Sequence, residues 1–159
     1  MRRRWTALIL LATAPVALTA EPFAPAITIQ ARQRPTMEGV LIELSLTNAS
    51  AHPLRLYQAD LPWGVRRSIS ITLDSLRTHE CVPPPTTESI DDPGPGVATI
   101  QPHETISGTI RLDTRFPALN DELSRSDVIA YWSYTVKSVD GGQSEREFGG
   151  LLLSRTKPK

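Results

Sequence analysis

Few residues in this chain are of a type and spacing that could do chemistry. His79, Glu80 and Cys81 stand together, and a His-x-Cys pair suits a soft metal if His103 or His52 supplies a third ligand. The ligand count falls short. Cys81 is the only cysteine, and Met37 is the only methionine after Met1. One isolated pair satisfies no coordination sphere, so no metal and no other cofactor is expected. Asp91-Asp92-Pro-Gly-Pro-Gly offers carboxylates, but calcium takes about six to eight oxygens and no acidic repeat supplies the rest. Asp at such a turn ordinarily bonds its own backbone. Glu88, Asp91 and Asp92 are close enough in sequence to act as a carboxylate pair, yet loop carboxylates are usually just solvated. His103-Glu104 lacks the second histidine of a zinc-protease motif, and no Gly-x-Ser-x-Gly elbow occurs. The expected protein is therefore not an enzyme.

Two features suggest contact instead of catalysis. Trp63, in Leu61-Pro-Trp-Gly, falls between two strands, where an exposed aromatic can anchor a partner. The competing role is a plug over the open end of the core. Pro83, Pro84 and Pro85 stiffen an extended segment, which lowers the entropy lost on docking. Asn48-Ala-Ser matches a glycosylation sequon but reads here as a turn. A lone thiol is more often buried than exposed, so burial is expected for Cys81. An exposed Cys81 would instead permit a disulfide-linked dimer.

The elements that must hold these residues are strands. Val40, Ile42, Leu44 and Leu46 fall on one face of an alternating run, with Glu43, Ser45 and Thr47 on the other. The same period of two recurs at Ile27–Ala31, Leu54–Tyr57, Ser68–Asp74, Val97–Gln101 and Thr105–Leu112. Pro83, Pro84, Pro85, Pro93 and Pro95 interrupt it, so residues 80–96 are expected to form a long proline-rich loop. Phe116, Leu119 and Leu123 recur at helical spacing after Leu112, which predicts one short helix near 116–125. Residues 127–155 read as a long hairpin turning at Asp140-Gly141. That register sets Trp132 opposite Gly149 and Tyr131 opposite Gly150, where each glycine leaves room for an aromatic ring. A turn at Gly141-Gly142 would set Lys137 opposite Arg146, a like-charge pair. Trp132 itself is expected in the core.

Residues 1–20 read as a secretory signal: Arg2, Arg3 and Arg4, then an apolar run of about 14 residues, then Leu18-Thr-Ala before Glu21. The run is shorter than the ~20 residues a spanning helix needs. The remaining domain, 21–159, has a single-domain length. The chain is formally neutral, and three arginines leave with the signal, so the mature domain is slightly acidic. No basic stripe remains, which argues against nucleic acid or an anionic membrane as partner.

The strand Val40-Leu-Ile-Glu-Leu-Ser-Leu-Thr-Asn followed by Pro53-Leu-Arg-Leu, the segment Ile100–Leu112 and the late strand Ser126–Tyr134 together resemble small exported bacterial proteins with an immunoglobulin-like β-sandwich. The resemblance implies an all-β antiparallel sandwich of about 7–9 strands. It implies no activity and no catalytic residue. The functional expectation is an exported periplasmic or secreted interaction domain whose partner is a protein or a cell-envelope component. The alternatives are a protease inhibitor presenting residues 81–87, and a hydrolase or metal-dependent enzyme.

Overall fold

The computed structural model describes residues 24–34, 39–65, 68–84 and 96–155. Residues 1–20, read above as a signal, and Pro85, Glu88, Asp91 and Asp92 lie outside the described residues. In chain order the elements are β1 (Ile27–Arg34), β2 (Leu41–Asn48), β3 (Leu54–Tyr57), β4 (Ser70–Ser75), β5 (Val97–Ile100), β6 (Thr105–Arg111), α1 (Leu112–Arg115), α2 (Leu119–Leu123), β7 (Val128–Tyr134) and β8 (Glu147–Leu153). The protein is mostly β and every strand pairing is antiparallel. β1-β2-β6 and β4-β7-β8 are three-stranded sheets, and β3 pairs with β5.

Alternation places the core. Val40, Ile42, Leu44 and Leu46 are buried together, as are Leu54 and Leu56 of β3, and Ile69 and Leu73 at β4. Val128, Ala130, Trp132 and Tyr134 of β7 face inward as well, and all of these side chains join one hydrophobic cluster. Burying each large aliphatic side chain contributes about 1.5–3 kcal/mol. The outer face of β1-β2-β6 is polar and paired within itself. Arg32 Nε donates to Glu43 at 3.0 Å, the Ser45 and Ser107 hydroxyls are 2.8 Å apart, and those of Thr47 and Thr105 are 2.7 Å apart.

Three local expectations need correction. A short helix does lie within 116–125, but a second precedes it. Leu112, expected to end a strand, instead begins α1 after its N–H bonds the carbonyl of Val40 at 2.8 Å. Pro117 disfavours helical geometry at the residue before it, and Phe116 accordingly sits at φ −135°, ψ 87°, so the chain restarts as α2. Phe116, Leu119 and Leu123 are nevertheless all buried, as their spacing requires.

The late hairpin keeps the expected ladder, with Trp132 opposite Gly149 and Tyr131 opposite Gly150. Its tip differs. The Gly141 N–H bonds the Ser138 carbonyl at 3.0 Å, so Val139 and Asp140 are the central turn residues and Gly141 follows at φ +87°. Near the tip Lys137 bridges Gln143, and the Ser144 N–H bonds Val136 O at 3.0 Å, one residue out of step with the ladder below. A bulge at Glu145 and Arg146, opposite Thr135, restores the register. The buried Ser144 hydroxyl stitches it, accepting the Val136 N–H at 3.0 Å and donating to Glu145 O at 2.7 Å.

Residues 80–82 of the expected proline-rich loop are paired instead, and residues 85–95 lie outside the described residues. Residues 80–82 fold back along β4: Ser75 N–H bonds Glu80 O at 3.1 Å, and Val82 N–H bonds Leu73 O at 2.8 Å. Pairing survives there because no proline occurs before Pro83, and Val82 adds a buried side chain to the core.

Candidate functional site

The residues singled out for metal binding do not converge. His79 lies in the turn after β4, at φ +57°, with its N–H on Ser75 O at 2.9 Å. Cys81 is exposed, which corrects the expected burial. It pairs with Asp74 at the sheet margin, and a residue on the outer face of such an edge meets solvent. Its thiol donates to Asp74 Oδ1 at 3.2 Å. That bond and the carboxylate's charge both favour the protonated thiol and push its pKa up. His52 and His103 belong to the turns beside Asn48. Among the described residues no group of three His, Cys, Asp or Glu side chains could hold a metal ion.

Asn48 is a structural keystone. It is fully buried, and its Nδ2 lies within hydrogen-bond distance of the carbonyls of His52, Ile100 and Gln101, at 2.8, 3.1 and 3.2 Å. Its Oδ1 accepts the Ser50 N–H at 3.1 Å and the Ser50 hydroxyl at 2.7 Å. The sequon therefore reads as a turn in the structure too, and its amide nitrogen is fully engaged. On the other side, His103 N–H bonds Asn48 O at 2.8 Å and Glu104 N–H closes a turn on Gln101 O at 3.0 Å.

Trp63 lies across Gly108 of β6, so close that a Cβ there would stand 2.2 Å from indole Cδ2. It packs against the core and lines a cleft of about 200 Å³ with Pro62, Val65, Ile110, Arg111 and Arg115. This is the geometry of a plug with one edge open to a groove. Pro83 and Pro84 are exposed beyond buried Val82 and do not line that cleft. The described contact candidates therefore occupy separate places, and Pro85 lies outside the described residues.

Another surface is more distinctive. On the outer face of β4-β7-β8, Phe148 is 79% exposed, Leu152 51% and Tyr131 46%. Alternation puts them there because Trp132, Tyr134 and Leu153 take the inner positions. Toward the hairpin tip the same face opens into a groove of about 480 Å³, lined by Ser70, Ser133, Thr135, Lys137 and Arg146 among others. Tyr134, at the groove floor, turns its hydroxyl to the Asp60 carbonyl at 2.5 Å, and burial pushes its phenol far above the ordinary value. Alternation sorts charge here. Glu145 and Glu147 line a different groove beside Ala24–Ile27, while Arg146 lines this one. No residue type in the sequence marks this face, but the hairpin register implies it: with Trp132 and Gly149 inward, Phe148 and Tyr131 must point out.

No protein-family model and no curated protein matches the chain.

Proposed function

We propose that this chain is an exported, non-enzymatic interaction domain of the bacterial periplasm, built as an immunoglobulin-like sandwich in which β1-β2-β6 and β4-β7-β8 form the two layers. One observation carries the reading: the two sheets differ in what they present outward. The β1-β2-β6 face pairs its own hydroxyls and charges. The β4-β7-β8 face leaves Phe148 largely exposed and Tyr131 and Leu152 half-exposed. An apolar patch rimmed by polar groups is the usual mark of a contact surface. The sandwich assignment is supported by the single core shared by the inward faces of the sheets.

The test is site-specific photo-crosslinking in the producing cell. A photoreactive residue at position 148 should trap an adduct in the periplasmic fraction, and one at position 45, on the polar face, should not. Equal adducts at both positions, or protein found only in the cytoplasm, would defeat the proposal. So would substrate turnover by the purified protein that a point substitution abolishes.

A further inference from the structure

The groove at the end of the aromatic face gathers two exposed cations. Lys137 and Arg146 both line it, and no carboxylate of a described residue does. Neither cation makes an ion pair with a described residue, whereas Arg32, Arg55, Arg77 and Arg111 each have one. Together they offer an anion two positive charges on one concave surface. Alternation brings them there: Lys137 lies four positions beyond Ser133 and Arg146 two positions before Phe148, both on the outer face.

The rest of the lining is hydroxyl. The side chains of Ser70, Ser133 and Thr135 make no hydrogen bond with a described residue, so each has donor and acceptor capacity to offer. Ser70 pairs with Ser133 across β4–β7, and Phe148 is the direct partner of Ser133 across β7–β8. A row therefore runs across the face: two hydroxyls, then an aromatic ring that is 79% exposed. Tyr131 stands two positions along β7 from Ser133 on the same face.

We propose that this face is the binding site for an acidic oligosaccharide whose sugar rings carry carboxylates. A sugar ring has an apolar C–H face, which suits the electron-rich face of Phe148. Its hydroxyls suit Ser70, Ser133 and Thr135. Its carboxylate suits the fork of Arg146, with Lys137 as the second positive charge. A volume of about 480 Å³ lies within the usual range for small-ligand sites, about 300–1,000 Å³. An acidic peptide would satisfy the two cations but would have no need of the hydroxyl row. This proposal rests on the interaction-domain reading above and names the ligand class of the same face.

Calorimetric titration of the purified protein with tetragalacturonate, a neutral glucose tetrasaccharide and a tetraglutamate peptide tests it. The acidic sugar should bind, and the other two at least about tenfold more weakly. Lys137→Gln with Arg146→Gln should weaken the acidic sugar by about tenfold or more, and Phe148→Ala should do the same. All three positions are on the surface, so melting temperatures should hold and loss of binding will not report misfolding. No binding of tetragalacturonate overturns the proposal, as does equal binding of the neutral sugar or the peptide, or indifference to Phe148→Ala. If tetragalacturonate fails while crosslinking at position 148 still traps an adduct, only the ligand class is wrong. If both fail, the interaction-domain reading falls with it.

Discussion

The indole of Trp132 lies against the backbone of Gly149, its cross-strand neighbour, with no space between them for a methyl group. A Cβ at Gly149 would stand 2.5 Å from Cζ2 and 2.8 Å from Cε2 of the ring. The next glycine differs. A Cβ at Gly150 would meet Tyr131 at 3.6 Å, an ordinary contact. Gly149→Ala should therefore destabilise the protein by about 1–3 kcal/mol, the usual cost of forcing atoms into a packed core. Gly150→Ala should be neutral or stabilising by up to about 1 kcal/mol, because alanine loses less backbone freedom in a strand. Urea unfolding of the two variants decides the matter; equal losses would show that ring packing does not distinguish them.

Asn48 should be one of the least replaceable polar residues. Its side chain ties the turn after β2 to the chain between β5 and β6. Asn48→Ala leaves the buried Ile100 carbonyl and Ser50 N–H without the partner it supplied, at a cost of about 1–3 kcal/mol for each group stranded. Asn48→Asp should be worse than alanine's loss of bonding alone suggests, because it turns a carboxylate oxygen toward three carbonyl oxygens. Melting temperatures should therefore fall in both variants. A melting point unchanged in Asn48→Ala would remove the keystone role.

Strand pairing was legible wherever one face is apolar and the other polar. Val40 to Thr47 declares its register because a slip of one residue would bury Glu43 and expose Leu44. The Trp132–Gly149 pairing was legible for a similar reason. The hairpin tip was not, because the Ser144 hydroxyl stands in for a backbone partner and lets the register shift by one residue. Nothing local in Ser144 announces that role. Cys81 was misjudged because thiol burial is a tendency of the residue type, whereas its exposure follows from the pairing with Asp74. The basic groove was legible only in part: Lys137 and Arg146 are direct partners in the alternative hairpin register, whereas in the observed register alternation from Ser133 and Phe148 puts both on one face without pairing them.

Cys81 should react in the folded protein, but slowly. Its thiol is exposed, and Asp74 holds it in the protonated form by accepting its hydrogen bond and by charge. Only the thiolate attacks an alkylating reagent. Asp74→Asn removes the charge, so the apparent pKa should fall and alkylation at mildly alkaline pH should speed up. Measuring the native-state iodoacetamide rate against pH in both proteins tests this. A thiol that reacts only after denaturation contradicts the exposed geometry, and an unchanged profile in Asp74→Asn contradicts the role given to Asp74.

Acid should loosen the contact between α2 and the turn after β4. Ser75 Oγ donates to Glu122 Oε1 at 2.5 Å, and Arg77 lies 3.5 Å from the other carboxylate oxygen. The Ser75 hydroxyl also accepts the N–H groups of Arg77 and Thr78 at 3.2 and 3.3 Å, so the carboxylate organises the whole turn. The Ser75 bond, with Arg77 adding its charge, holds the Glu122 carboxyl below its ordinary value. A group whose pKa is lower folded than unfolded binds fewer protons in the native state. Its contribution is therefore complete above the unfolded value, about 4.5, and is lost as pH falls through the folded one. Asp113 behaves in the same sense, held down chiefly by Arg111 at 2.8 Å. The urea midpoint should therefore drop between roughly pH 5 and 3. Glu122→Gln keeps an acceptor for Ser75 but cannot titrate, so it should lower stability at pH 7 and flatten the acid limb. Asp113→Asn in the same protein should flatten it further. An acid limb as steep in the double variant as in the parent would place the acid sensitivity elsewhere.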